Sequence, residues 1–491
     1  MANCIGLQTN QNRKRRFRMI GHFASRHSSN ACLLGITSWL SLAAVTRNVL
    51  NALLKAPRVA RRNCGWMLLV FAAALAGATT PEIASGGNDY QAGGNWIGTW
   101  ATASQPFLPG KVESLRNQSV RLIVHTSAGG KKVRIKISNT YADQPLQIGG
   151  AHIARRTSGA DIDPTSDRTL RFRGQPSISV PARSLVVSDP VDLEVPALSD
   201  LAISFFFSEA TTATTSHSLA QQTNYVSPEG DFTASVKFPV AKAIRSWPFL
   251  TGVDVGASSY GATIVALGSS LTDGDGSTLD ANRRWPDVLA ERLQKAGGSN
   301  SQLGVLNLGI IGNRLLNDSP KTSDNPFGAA LGESGLVRFE RDVLEQAGVK
   351  YVFVGLGIND IAFPAFPFTP ASEQVSAKDI ISGYRQLITR AHKKGIRVIG
   401  TTMPPFENSF FRKPAVTFYT HERETVRQEV NTWILRSGAF DAVVDFDSAV
   451  RDPNHPTQIR SDYDSGDHLH VNDAGYIAQA NVIPLSLFDR Q

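Results

Sequence analysis

The amino-acid sequence predicts an α/β domain with a parallel five-stranded sheet and flanking helices, preceded by an all-β domain of sandwich or jelly-roll type. Three observations point to this. From residue 259 to 491, short apolar runs alternate with segments whose apolar residues recur at helical spacing. From 95 to 250 the runs alternate apolar with polar residues and are punctuated by Gly, Pro, Asp and Ser. Residues 1–94 show neither pattern and read as a basic leader ending in a Gly-rich linker.

The leader differs from the rest in charge and in cysteine. The 491-residue chain has 50 Lys and Arg against 42 Asp and Glu. Eleven of the basic residues and none of the acidic ones precede residue 82, which leaves 39 against 42 beyond it. The body is therefore mildly acidic, and the basic balance of the whole chain is no argument for a nucleic-acid partner. Cys4, Cys32 and Cys64 all fall in the leader, so the body has no disulfide framework and no cysteine nucleophile. Arg58, Arg61 and Arg62 precede an apolar run at 65–78 (GWMLLVFAAALAGA) that ends in small residues, the pattern of a secretory signal over about 58–80. The run is shorter than the ~20 apolar residues of a membrane span. A secreted or periplasmic location after cleavage is the expectation. A membrane-anchored N-terminus and a basic arm are the competing readings, so membrane contact through the leader stays open.

In the all-β part, 119–126 (SVRLIVHT) and 131–139 (KKVRIKISN) flank Ser127-Ala128-Gly129-Gly130 and read as a hairpin. Further strands are expected at 146–154, 177–180, 191–195 and 201–207. In the α/β part, strands are expected at 263–267, 304–308, 351–356, 396–400 and 442–446. Helical faces lie between them: Trp285, Val288, Leu289 and Leu293; then Ile380, Ile381, Tyr384, Leu387, Ile388 and Ala391; then Val426, Val430, Trp433 and Ile434. Strand and helix repeated in this way imply a parallel sheet whose functional residues cluster beyond the carboxyl ends of its strands.

That edge carries a consistent inventory. Ser270 follows the first strand in Gly268-Ser269-Ser270, Gly312 follows the second in NLGIIGNR, Asn359 follows the third in GLGIND, and Asp467-His468-Leu469-His470 follows the last. A hydroxyl, a Gly turn, an amide, and an Asp three residues before a His are the groups that acyl transfer requires. The G-x-S-x-G elbow of ordinary α/β-hydrolases is not matched, because the second Gly is missing.

These four blocks resemble the SGNH (GDSL-type) hydrolase superfamily, over most of residues 261–489. The resemblance implies a flavodoxin-like sheet and a carboxylic ester hydrolase in which Ser270 is the nucleophile and Asp467 and His470 complete the triad. Ser270, Gly312 and Asn359 would then donate to the oxyanion. The β-rich region, with 96–104 (WIGTWATAS), resembles the N-terminal domain of a secreted bacterial subgroup. An acyl or acetyl ester of a small molecule or polysaccharide is the implied substrate, and no cofactor or metal is expected. Ser269 stands where the family has Asp, and a hydroxyl offers fewer acceptor sites than a carboxylate, so a lowered rate is expected.

Each residue also has a second reading. Gly312 serves a positive-φ turn equally well, and Asn359 is a favoured helix N-cap. His468 and His470 with Asp462, Asp464 and Asp467 are candidate metal ligands, and Asp273 and Asp275 are candidate carboxylates for glycosidic chemistry. Phe363, Phe366, Phe368, Phe406, Phe410, Phe411, Phe418 and Tyr419 fit an acyl or sugar surface as well as a core. The alternative to an enzyme is a glycan- or envelope-binding surface protein whose hydrolase domain has weakened, a reading that Ser269 raises.

Overall fold

The structure is a computed structural model that describes residues 94–110, 113–412 and 415–489; the signal-like run and the three cysteines lie outside the described residues. Among the described residues no helix is long and apolar enough to cross a membrane.

Period-two alternation builds the first half into two antiparallel sheets. Its long strands are β1 (Trp96–Ala101), β2 (Gln118–His125), β3 (Gly130–Ser138), β4 (Gly150–Ser158), β5 (Asp200–Phe207) and β6 (Leu250–Gly256). In one sheet β6 lies between β1 and β3; in the other β5 lies between β2 and β4. Alternate residues of both sheets point inward: Val120, Leu122 and Val124 from β2, Val133, Ile135 and Ile137 from β3, and Leu201, Ile203 and Phe205 from β5 share one core. Each such side chain contributes about 1.5–3 kcal/mol on burial.

Two expectations are corrected in this half. Residues 146–154 form two strands rather than one, because Leu146–Ile148 pairs with Ile178–Val180 whereas β4 pairs with β5. The exchange of partners falls at Gly149-Gly150, where no side chain resists the change of direction. The first sheet also runs to Gly256, beyond the expected boundary at residue 250, because β6 returns to pair with both β1 and β3.

The second half follows the expected alternation. It contains β7 (Ala262–Gly268), α1 (Ser270–Asp273), α2 (Trp285–Ala296), β8 (Leu303–Gly309), α3 (Gly335–Phe339), β9 (Val349–Gly355), α4 (Ile358–Ala362), α5 (Ala377–His392), β10 (Arg397–Thr401), α6 (His421–Arg436), β11 (Ala442–Val444), α7 (Phe446–Val450) and α8 (Asp473–Asn481). The sheet order is β8-β7-β9-β10-β11 with every pairing parallel, a flavodoxin-like arrangement. Its strands are buried on both faces. Val265, Leu267, Val352 and Val354 pack with Ile380, Tyr384 and Leu387 of α5 and Val430 and Ile434 of α6. Ile264, Ala266 and Phe353 pack on the other side with Trp285, Leu289 and Leu293 of α2. The last strand is shorter than expected: the Asp445 side chain accepts from the Ser448 N–H and starts α7, so Phe446 belongs to a helix.

The two halves meet where β1 lies along β8. Val305 N–H donates to Ser127 Oγ at 2.8 Å, and a Cβ on Gly304 would sit 1.9 Å from the Gly98 carbonyl oxygen. Backbone cannot retreat from such a contact as a side-chain tip can. Gly304→Ala is therefore expected to destabilise the folded protein by about 1–3 kcal/mol, the usual cost of overpacking. Chemical denaturation measures this, and an unchanged midpoint would contradict the close approach.

Candidate active site

The site begins with strand register. Gly268 of β7 is level with Gly309 of β8 and with Gly355 of β9, so three strands end together and their loops leave from one edge. At Gly268 the chain turns from strand into α1 so tightly that a Cβ would lie 2.0 Å from Thr272 Oγ1. This turn sets Ser270 at the first position of α1, with 4% of its surface exposed.

The loop between α7 and α8 brings His470 to it. His468 and Gly466 have positive φ, 61° and 104°. In this conformation Asp467 Oδ1 accepts from the backbone N–H of Leu469 and His470, at 3.0 and 2.8 Å. The carboxylate is thus aimed before it meets the ring. His470 Nδ1 then lies 2.6 Å from Asp467 Oδ2, and His470 Nε2 lies 2.7 Å from Ser270 Oγ. Asp275, which follows Ser270 by five positions, places a carboxylate oxygen 3.8 Å from the same Nε2.

Burial disfavours the charged form of both Asp467 and His470, yet their mutual contact wins. Asp467 would be raised by desolvation, but the hydrogen bond and charge of His470 hold its carboxyl well below the usual range. His470 would be lowered by desolvation, but the Asp467 hydrogen bond and the charges of Asp275, Asp467 and Asp464 raise it above the ordinary histidine value.

The remaining sequence-predicted residues converge on this edge. Gly312 has φ 72°, so the loop after β8 does use the turn that glycine permits. Asn359 lies inside α4, whose N-cap is Gly357, so Asn359 is not a cap. Its Nδ2 donates to the Asn313 carbonyl at 3.0 Å, which ties the third loop to the residue beside Gly312 and leaves the other amide proton for a ligand. Asp360, beside it, accepts from the N–H groups of Leu315 and Leu316 at 2.7 and 2.9 Å, and burial pushes its carboxyl up to about 6.

Ser269 is fully buried, and its Oγ has no hydrogen-bond partner among the described residues. The turn is held instead by backbone, because the Ser269 carbonyl accepts from Thr272 and Asp273 N–H at 2.9 and 2.8 Å. A second support comes from Arg338, which no sequence motif singles out. Its buried guanidinium donates to the Gly268 carbonyl at 2.9 Å, the Leu308 carbonyl at 2.8 Å and Asn313 Oδ1 at 3.0 Å, and pairs with Asp342 at 2.9 Å.

The other readings are resolved unequally. His468 pairs with Asp464 and Asp462 with Arg460, and no group of three metal-ligating side chains occurs among the described residues. Phe363, Phe366, Phe368, Phe406 and Phe418 are core, with Phe366 stacked on Phe368 at 4.8 Å; Phe410 and Phe411 are only partly buried.

Fold and site together describe a parallel α/β domain with an Asp–His–Ser contact at the carboxyl edge of its sheet. Residues 264–483 match the family model described as GDSL-like Lipase/Acylhydrolase. Solved structures similar to it include an aryl esterase of M. smegmatis (18% identity, 45% of this chain and 95% of that chain, TM-score 0.33). Others are Est24, a carbohydrate acetylesterase from Sinorhizobium meliloti (13%, 45% and 94%, TM-score 0.32), and a GDSL-like lipase from Bacteroides thetaiotaomicron (17%, 45% and 84%, TM-score 0.30). Likenesses of this size identify no activity. Comparison with curated proteins returns no match.

The electrostatics make a direct prediction. The neighbouring carboxylates favour imidazolium, so His470 should titrate above the ordinary ~6.5 of histidine, and Asp275→Asn, which removes one of those charges, should move the titration toward lower pH. NMR of the His470 ring in wild type and variant measures this; a shift in the opposite direction would contradict the arrangement.

Proposed function

We propose that the protein is a serine hydrolase of acyl or acetyl esters, using Ser270, His470 and Asp467 as its triad. The observation that carries this reading is the unbroken contact from Asp467 to His470 to Ser270, at 2.6 and 2.7 Å, on the edge where three strands end. His470 Nε2 takes the Ser270 proton as Oγ bonds to the ester carbonyl carbon. Asp467 holds the proton on Nδ1 and stabilises the imidazolium. The oxyanion is met by the backbone N–H groups of Ser270 and Gly312 and by the Asn359 amide. His470 returns the proton to the leaving alcohol as the C–O bond breaks. A water molecule, deprotonated by the same Nε2, then cleaves the acyl-Ser270 ester.

A weakened, binding-only hydrolase domain receives no specific support. Ser269 replaces the family carboxylate, but the turn it occupies is held by backbone and by Arg338, and the triad contacts are of normal length.

With p-nitrophenyl acetate, Ser270→Ala should reduce turnover to background, and Asn359→Ala should lower kcat by about 10²–10³-fold, or about 2.7–4 kcal/mol. Retained turnover in Ser270→Ala would sink the assignment. Ser269→Ala should change kcat little, because the hydroxyl it removes is unpartnered.

The reading extends to export. The basic residues and apolar run of the leader support cleavage soon after residue 78 and release to the periplasm or medium. N-terminal sequencing of the protein from the periplasm or medium of an expressing bacterium should begin there; an intact leader would refute it.

A further inference from the structure

We propose that His217, supplied by the β-rich half, is a positioning residue for the reaction at Ser270, acting through Asp273 on the loop that carries Gly312. The proposal rests on the ester-hydrolase reading above and gives the β-rich half a part in that reaction.

Asp273 is the last residue of α1, three positions after Ser270. One of its carboxylate oxygens, Oδ2, accepts from the backbone N–H of Ile311 at 2.8 Å. Ile311 immediately precedes Gly312, so Asp273 ties the nucleophile helix to the proposed oxyanion loop. The other oxygen, Oδ1, lies 2.8 Å from His217 Nε2. Both side chains are almost wholly buried, at 2% and 3% exposure. A buried carboxylate needs a partner of this kind, since an unpaired charge in the interior is costly.

The far side of the ring fixes the direction of support. His217 Nδ1 lies 3.0 Å from the Ala103 carbonyl oxygen. A carbonyl only accepts, so an Nδ1 proton points there and ties the ring to the β-rich backbone. His217 also packs against Trp247, with ring centroids 5.9 Å apart. The path runs from the β-rich backbone through His217 and Asp273 to the amide beside Gly312.

The residues after His217 reinforce it. Gln221 Nε2 donates to the carbonyls of Gly274 and Ser277, at 3.1 and 3.2 Å, and Asp280 accepts from Gln222 Nε2 and Thr223 Oγ1 at 2.6 Å each. The whole stretch from 273 to 280 is thus gripped from the β-rich side. A positioning role of this type matters because displacements of about 1 Å at a reacting centre cost up to about 10²-fold in rate.

The test combines kinetics with hydrogen exchange on the full chain. Folding of each variant is checked by circular dichroism. His217→Ala should lower kcat for p-nitrophenyl acetate about 10–100-fold, with KM within about twofold. It should also accelerate amide exchange in peptides spanning Ile310–Asn313. His217→Gln, whose amide can still donate to Asp273, should recover a large part of both. If His217→Ala does not fold, Asp273→Asn decides, because it keeps the shape and removes the charge; the same fall in kcat and faster exchange are expected. Wild-type kcat and exchange in the folded variants would overturn the proposal. Should the wild type show no Ser270-dependent turnover, the ester-hydrolase reading fails instead, and exchange alone judges the His217 path to the loop.

Discussion

Everything at the site depends on three parallel strands ending level. Gly268, Gly309 and Gly355 share one line across the sheet, and the loops that follow can converge only because of that register. Arg338 holds the line from beneath, bonding the carbonyls of Gly268 and Leu308 at the ends of two of those strands and the Asn313 side chain beyond them. A buried guanidinium with this many acceptors spends its donors on one geometry. Burial disfavours its charge, and the adjoining Asp342 carboxylate opposes that effect. The turn that carries Ser270 is therefore specified from the interior, with no side-chain bond from Ser269 among the described residues.

From that fixed edge the chemistry follows by short steps. The tight turn at Gly268 presents Ser270, and the Asp467–His470 loop is shaped by its own backbone hydrogen bonds before it reaches the serine. The third loop contributes Asn359 and, through Asp360, clamps the chain after Gly312. No one loop is a site by itself. The charged neighbourhood of His470 also sets its titration range, since the neighbouring carboxylates retain the ring's proton as pH rises. The β-rich half is not a separate appendage in this picture: it contacts β8 backbone to backbone and grips residues 273–280.

Much of this was legible in the sequence. Alternating apolar runs placed the five parallel strands to within a few residues, because strands buried on both faces carry few polar interruptions. The convergence of the blocks at 270, 312, 359 and 467–470 was legible because each follows a strand of the same parallel sheet. Less was visible where tertiary context decides. The break at Gly149-Gly150 depends on which strand each piece finds, and Phe446 joined a helix because Asp445 caps it. Arg338 sits in LVRFERD, a stretch indistinguishable from a solvated helix face, and only the fold turns it inward. His217 lies 53 residues before Ser270 in another half of the chain, so no spacing rule could link them. The aromatic residues at 363–368 read equally well as surface or core until packing settled them as core.

The central claim is that Ser270 is the activated nucleophile. Incubating the purified protein with a fluorophosphonate and mapping the adduct by peptide mass spectrometry tests it most directly. A single adduct on the peptide containing Ser270, absent from Ser270→Ala and much slower to form in His470→Ala, is the result the geometry predicts. An adduct on another serine, or labelling that persists in Ser270→Ala, would contradict it.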